Sequence, residues 1–298
     1  MKMHTTNASW LLVAVVYGTA VWLARRRGVD LPRRVALFFY LIVFVFLREA
    51  LTRDVVNLPV DYLRSLPPWW FFTDDHSAHN GAMNDLVLQI VPWAHQVRES
   101  WRALEPPLWN QFSAAGYPLL ANGQSSALSP LRLLALPLPL GFSFAAEAAM
   151  KLLIALTFMF LFCRRRGYGE LASVAGAVAF GFSTFVVVWL HFPLATAAVF
   201  LPGVFYMIDL IVERPSFGRI VFAAVLWASV LFAGHPETTA HMFFAALLYV
   251  AWIVFVERRA AIRVVLPLGA SLVVAALLAA PLLGPLVEAV RLSKRYSV

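Results

Sequence analysis

The residues able to do chemistry in this chain collect between Asn84 and Pro130, where acids, amides, tryptophans and prolines interrupt an otherwise apolar sequence. Leu86, Ile90, Trp93, Val97, Trp101 and Leu104 recur at spacings of three and four, which predicts a helix. Asp85, Gln89, Gln96 and Glu99 form a polar stripe beside that apolar one. A helix of this kind lies at a bilayer interface, tryptophans dipped into the lipid and carboxylates facing a cleft. Asn84 is placed to cap it, and Asp85 falls in the first turn, where the helix dipole favours an anion. The Asp85 carboxylate then has three uses: general base toward a hydroxyl, ligand of a divalent cation, or an acid that only complements the helix end. Pro92 is expected to kink or split the helix. The segment 105–110 is expected to be extended, and Gly116-Tyr117-Pro118 to turn. The segment 128–140 is expected to hold a short surface or re-entrant helix, punctuated by Pro137 and Pro139.

Two further groups stand at the mouths of apolar runs. Gly234-His235-Pro236-Glu237 combines a permissive backbone position with a stiff one, and its ionisable side chains suit the lining of a polar cavity. His191 has the same kind of location; for it, a cavity and plain contact with interfacial water are equally good accounts. His241 falls six residues past His235 and is expected on another helical face. Asp74, Asp75, His76 and His79 have the side chains of a metal site but no zinc spacing, and are read as a solvated acidic loop. Cys163, the single cysteine, excludes an internal disulfide. There is no phosphate loop, no nucleophile elbow and no H-E-x-x-H.

The elements that must hold these groups are set by composition. Hydrophobic residues make up 61% of the 298-residue chain and charged ones 13%, far from a soluble domain's balance. Eight apolar stretches are read as spans, near 9–24, 35–50, 144–163, 170–190, 194–212, 218–234, 238–256 and 262–280. The expected class is an all-α polytopic bundle forming one transmembrane domain over 1–298. Lys2 ahead of the first apolar run resembles a signal peptide's start, but no small-residue cleavage site precedes Arg25-Arg26-Arg27, so the run is expected to stay as an anchor.

Arg25 to Arg34, Arg164-Arg165-Arg166, Arg214 with Arg219, and Arg258-Arg259 with Arg263 fall in the short loops of one side, the cytoplasm by the positive-inside rule. The loop 49–143, the His191 and His235 turns and the C-terminal tail then face outward, together with most of the acids. The net charge of +8 and pI near 10.1 follow from this topology, and no nucleic-acid partner is inferred.

As an ordered set, Asn84-Asp85, Gln89, Pro92-Trp93, Pro107-Leu108-Trp109-Asn110, Gly116-Tyr117-Pro118-Leu119 and Ser129-Pro130 resemble the first outer loop of YfhO-type bacterial membrane proteins. These are relatives of the GT-C superfamily of integral membrane glycosyltransferases. Gly234-His235-Pro236-Glu237 resembles a recurring turn of the same group. The likeness runs from about Asp85 to the C-terminus.

The resemblance implies transfer of a sugar from a polyprenyl-phosphate donor to a cell-envelope acceptor, at the outer face of a bacterial inner membrane. It implies Asp85 as the catalytic acid, with Arg98, Arg102 or Arg132 meeting the donor phosphate. Gln89, Trp93, Trp109, Asn110, His235 and Glu237 become candidate substrate contacts. Membrane lipids are the surroundings, and a divalent cation is the one cofactor candidate. The chain departs from the family in carrying an additional N-terminal span and in stopping soon after Glu288, which implies further C-terminal spans in family members that it lacks. A lipid-linked sugar carrier or flippase, and a non-catalytic membrane subunit, are the alternatives. A carrier needs polar groups along the spans, whereas here they gather at the outer mouth.

Overall fold

The computed structural model describes residues 7–113 and 115–293; Lys2 and 294–298 lie outside the described residues. The chain opens with α1 (Ser9–Arg26), α2 (Arg33–Phe46) and the short α3 (Arg48–Thr52). A loop of 3-10 turns leads to α4 (Val91–Arg102), then to a two-stranded antiparallel ribbon, β1 (Trp109–Asn110) with β2 (Tyr117–Pro118). Next come α5 (Pro130–Ala135), α6 (Leu140–Arg165), α7 (Glu170–Gly181), α8 (Thr184–Val188) and α9 (Pro193–Ala198). The last elements are α10 (Leu201–Glu213), α11 (Phe217–Phe232), α12 (Pro236–Phe255), α13 (Ala261–Leu278) and α14 (Ala280–Leu292).

The eight apolar stretches fold as helix, and four helical segments are long and apolar enough to cross a membrane: Leu140–Arg165, Pro193–Glu213, Pro236–Phe255 and Ala261–Leu278. α6 is the axis, 72% buried over its most apolar window, with α1, α2, α5, α7 and α10 packed around it. α12 and α13 are 22% and 17% buried over theirs. Their exposed Phe244, Leu248, Leu266 and Leu277 would be costly in water and natural against lipid tails.

Several stretches are broken where the sequence reading drew continuous spans. Ser183 starts α8 by accepting the Val186 amide at 3.4 Å, which ends the run after Gly181. Pro193 starts α9, where its missing amide proton is harmless. The tail expected to face outward forms α14, which seats Leu282 against Val97, Leu119, Leu120 and Ala127 of the long loop.

The basic turns meet at one end of the bundle. Arg34 pairs with Glu170 at 2.8 Å, Arg164 with Asp30 at 3.2 Å, Arg165 with Glu213 at 2.8 Å and Arg166 with Glu257 at 2.7 Å. Burial and the Arg166 guanidinium act in opposite senses on Glu257; the guanidinium wins and holds its carboxyl below the ordinary range. The Asp85 loop and the starts of α9 and α12 assemble the cavity described next.

Candidate functional site

Asp85 lies in helical backbone at φ −58°, ψ −31°, and its carboxylate makes no capping hydrogen bond. The expected cap at Asn84 is also absent: that residue is helical, and Asn80 caps the preceding turn by accepting the Ala82 amide at 3.1 Å. The reason is Pro92. It has no amide to offer the carbonyl four residues back, and the chain widens into a π turn over Leu86–Ile90 before α4 begins. The predicted kink is thus met by a widened turn, and helix extends back to Asn84. The Asp85 carboxylate is consequently free of the backbone. It accepts one side-chain hydrogen bond, from Gln89 Nε2 at 2.9 Å.

Asp85 and Gln89 open onto a cavity of about 730 Å³, whose other polar walls are Gln124, His235, Glu237, Thr238 and His241. Trp189 and Phe192, at the break between α8 and α9, close its apolar side. The structure therefore brings together Asp85, Gln89, His235 and Glu237, four of the residues singled out by sequence. It also adds His241, which had been set apart by a helical-face argument. His235 is the N-cap of α12 and so stands outside the helical phase that the argument assumed.

The His235 turn is held by backbone packing. Gly234 has φ +78°, and a Cβ there would run into the Gly123 carbonyl oxygen. Ser126 Oγ donates to the Ala233 carbonyl at 2.8 Å, a second tie between loop and turn. His235 Nδ1 accepts from the Thr238 amide at 3.2 Å and lies 2.9 Å from its hydroxyl. Burial lowers the His235 pKa, so the imidazole is neutral at pH 7 and its proton sits on Nε2. Gly234→Ala is expected to lose about 1–2 kcal/mol from left-handed backbone alone. The clash with Gly123 adds about 1–3 kcal/mol. Thermal unfolding in detergent, with Gly218→Ala at an open site as control, should show a lower midpoint only for Gly234→Ala.

The remaining candidates lie elsewhere. The π turn shifts the helical phase, and the later residues of the polar stripe, Gln96 and Glu99, do not line the cavity. Trp93 is half-buried between two apolar clusters and donates its indole N–H to the Tyr117 hydroxyl. Trp109 lies over Gly116, whose φ of +101° lets the ring approach. Asn110 is buried and accepts the Phe112 amide at 3.0 Å, a turn-forming bond. Arg102 is exposed and pairs with Glu99 at 3.4 Å. Arg98 is buried on α4; desolvation lowers its pKa, with Arg102 adding to the effect.

Arg132, proposed from sequence for a phosphate, is instead committed to the protein. It pairs with buried Glu147 at 3.3 Å and donates to the Ser125 carbonyl at 2.9 Å. One turn along α6, buried Lys151 donates to the carbonyls of Leu190 at 2.8 Å and Phe192 at 3.3 Å. This buried row ties both sides of the cavity to α6: the Gln124 segment through Ser125, and the Trp189–Pro193 break through Lys151. Sequence reasoning missed Glu147 and Lys151, although two charges four residues apart inside an apolar run were a visible signal.

Among the described residues no group of three or more His, Cys, Asp or Glu side chains is arranged to hold a metal ion. The cavity's own carboxylates are Asp85 and Glu237. The arrangement offers a carboxylate free of the backbone, a neutral imidazole and two side-chain amides around one open space, a set suited to moving a proton from a hydroxyl. No family model, curated protein or solved structure matches the chain.

Proposed function

We propose that this chain is a GT-C-type glycosyltransferase, related to the YfhO-type proteins, of a bacterial inner membrane. It moves a sugar from a polyprenyl-phosphate donor to an envelope acceptor on the extracytoplasmic side. The observation that carries this reading is the Asp85 carboxylate, free of any cap, in one cavity with Gln89, His235 and Glu237. In the reaction an acceptor hydroxyl oxygen forms a bond to the donor's anomeric carbon as the bond from that carbon to the phosphate oxygen breaks. The phosphate leaves with the electron pair, and Asp85 takes the hydroxyl proton. The His235 Nε2–H is a neutral donor available to a phosphate or sugar oxygen. No step requires a metal, and a divalent cation at Asp85 and Glu237 is the alternative use of those carboxylates.

The carrier reading gains one observation, the ionisable Glu147 and Lys151 within a span. Both are spent internally, on Arg132 and on two carbonyls, and offer no free coupling site.

Eight crossings, with the paired basic turns cytoplasmic, put the Asp85 cavity outside. In a Cys163→Ser background, Asn122→Cys is expected to react with an impermeant thiol reagent from the extracytoplasmic side of oriented vesicles. Labelling only from the cytoplasmic side contradicts the topology and the function together. The activity is tested by supplying labelled polyprenyl-phosphate-linked sugar together with bacterial envelope acceptors to the chain in proteoliposomes, and measuring label transferred to acceptor alongside polyprenyl phosphate released.

A further inference from the structure

A second cavity of about 320 Å³ lies against the first. Phe192 lines both, and Leu86, the neighbour of Asp85, forms part of the second wall. Its polar groups are Asn57, Asp61, His79, Asn80 and His191. Two of these side chains are already held by local bonds: Asp61 Oδ2 accepts the His79 amide at 2.7 Å, and Asn80 Oδ1 caps the next turn through Ala82. Asn57 makes no side-chain bond among the described residues, and the His191 Nδ1 atom is buried without a partner there. The His191 ring is set edge-on to Phe144 at 6.2 Å. Burial, then the nearby Lys151 charge, pushes its pKa down to about 3, so it faces the cavity as a neutral imidazole.

The chemistry of the walls selects the ligand. An anion would meet the Asp61 carboxylate and find no arginine or lysine in the lining. A metal ion lacks a ligand set, since no group of three His, Cys, Asp or Glu gathers among the described residues. A wholly apolar ligand would strip water from these polar groups without replacing their hydrogen bonds. A neutral polyol meets every requirement: carboxylate and amide oxygens accept from hydroxyls, amide and imidazole N–H groups donate to them, and Pro59, Met83 and Phe192 cover ring C–H faces. The volume is at the small end for ligand cavities, the scale of a single ring.

We propose that this second cavity binds a neutral sugar ring, the hydroxyl-bearing acceptor unit, held by Asn57, Asp61 and Asn80 over His191. Its role as the acceptor site rests on the glycosyl-transfer reading; the binding itself does not. Such a ring sits on the other side of Phe192 from the Asp85 cavity, with Leu86, the residue after Asp85, in its wall.

The test uses the full chain in nanodiscs and saturation-transfer NMR with methyl β-D-glucopyranoside, methyl β-D-galactopyranoside and N-acetylglucosamine as probes. Ring-proton signals are expected from at least one. Val188→Trp, which fills the second cavity from a half-exposed position outside the first, is expected to abolish them with the thermal midpoint unchanged. Asp61→Asn is expected to weaken binding about tenfold, the loss of a hydrogen bond to a charged group. Asp85→Asn should leave the signals intact. Silence from all three probes overturns the proposal, as does full signal from a folded Val188→Trp, or inorganic phosphate binding that Val188→Trp removes. If Asp85→Asn retains full transfer while sugar binding follows the second cavity, the catalytic reading fails and this one stands.

Discussion

Asp85→Asn is expected to lower sugar transfer by about 10²–10⁴-fold, the contribution of a positioned general base, with the protein folded and inserted as before. Asn keeps the size and can still accept from Gln89, so the one hydrogen bond seen at Asp85 survives the change. The charge lost at a helix start is worth about 0.3–1 kcal/mol, too little to unfold a bundle of this size. A role confined to the dipole would therefore leave transfer near normal. Protein amount and thermal midpoint are measured in parallel, so that a fall in activity without a fall in either is assigned to chemistry. A mutant at near-normal transfer reduces Asp85 to a surface acid.

Arg132→Leu is expected to act on the fold. It leaves the buried Glu147 carboxylate without its ion-pair partner, a loss of about 3–5 kcal/mol. It also orphans the Ser125 carbonyl, next to Gln124 of the cavity wall. Replacing both partners, Arg132→Leu with Glu147→Leu, should recover most of the stability, because a buried pair exchanged for apolar side chains is often neutral. Reversible unfolding in mixed micelles gives the three free energies. Had Arg132 served a donor phosphate, the single change would spare stability and raise the KM for donor instead; that outcome would contradict the buried pairing.

Some of this was legible in the residues and some was not, for identifiable reasons. Apolar run length and arginine placement depend on composition alone, so the helical stretches and the clustered basic turns could be read directly. The Gly-His-Pro-Glu turn was legible because its backbone demands are local: Gly234 does adopt positive φ, and Pro236 does stand in the first turn of α12. The Asn84 cap failed because Pro92 acts several residues upstream of itself, through the π turn, and local capping preference does not contain that effect. Membership of the cavity was the least visible feature. Trp93, Trp109 and Asn110 have site-like side chains but are absorbed by a hydroxyl, a glycine and a turn amide within the loop. Only long-range packing decides that. The break near Leu190 likewise depends on Lys151, a residue distant in sequence that supplies its hydrogen bonds.

The central claim is that the space between Asp85 and the start of α12 is where the sugar is transferred. A structure of the chain with a non-hydrolysable phosphonate analogue of a polyprenyl-phosphate sugar tests it most directly. The account predicts the sugar in the 730 Å³ cavity, its anomeric carbon facing the Asp85 carboxylate and its phosphonate near His235. A head group bound instead along α4 at Arg98 and Arg102, with the Asp85 cavity empty, would contradict it.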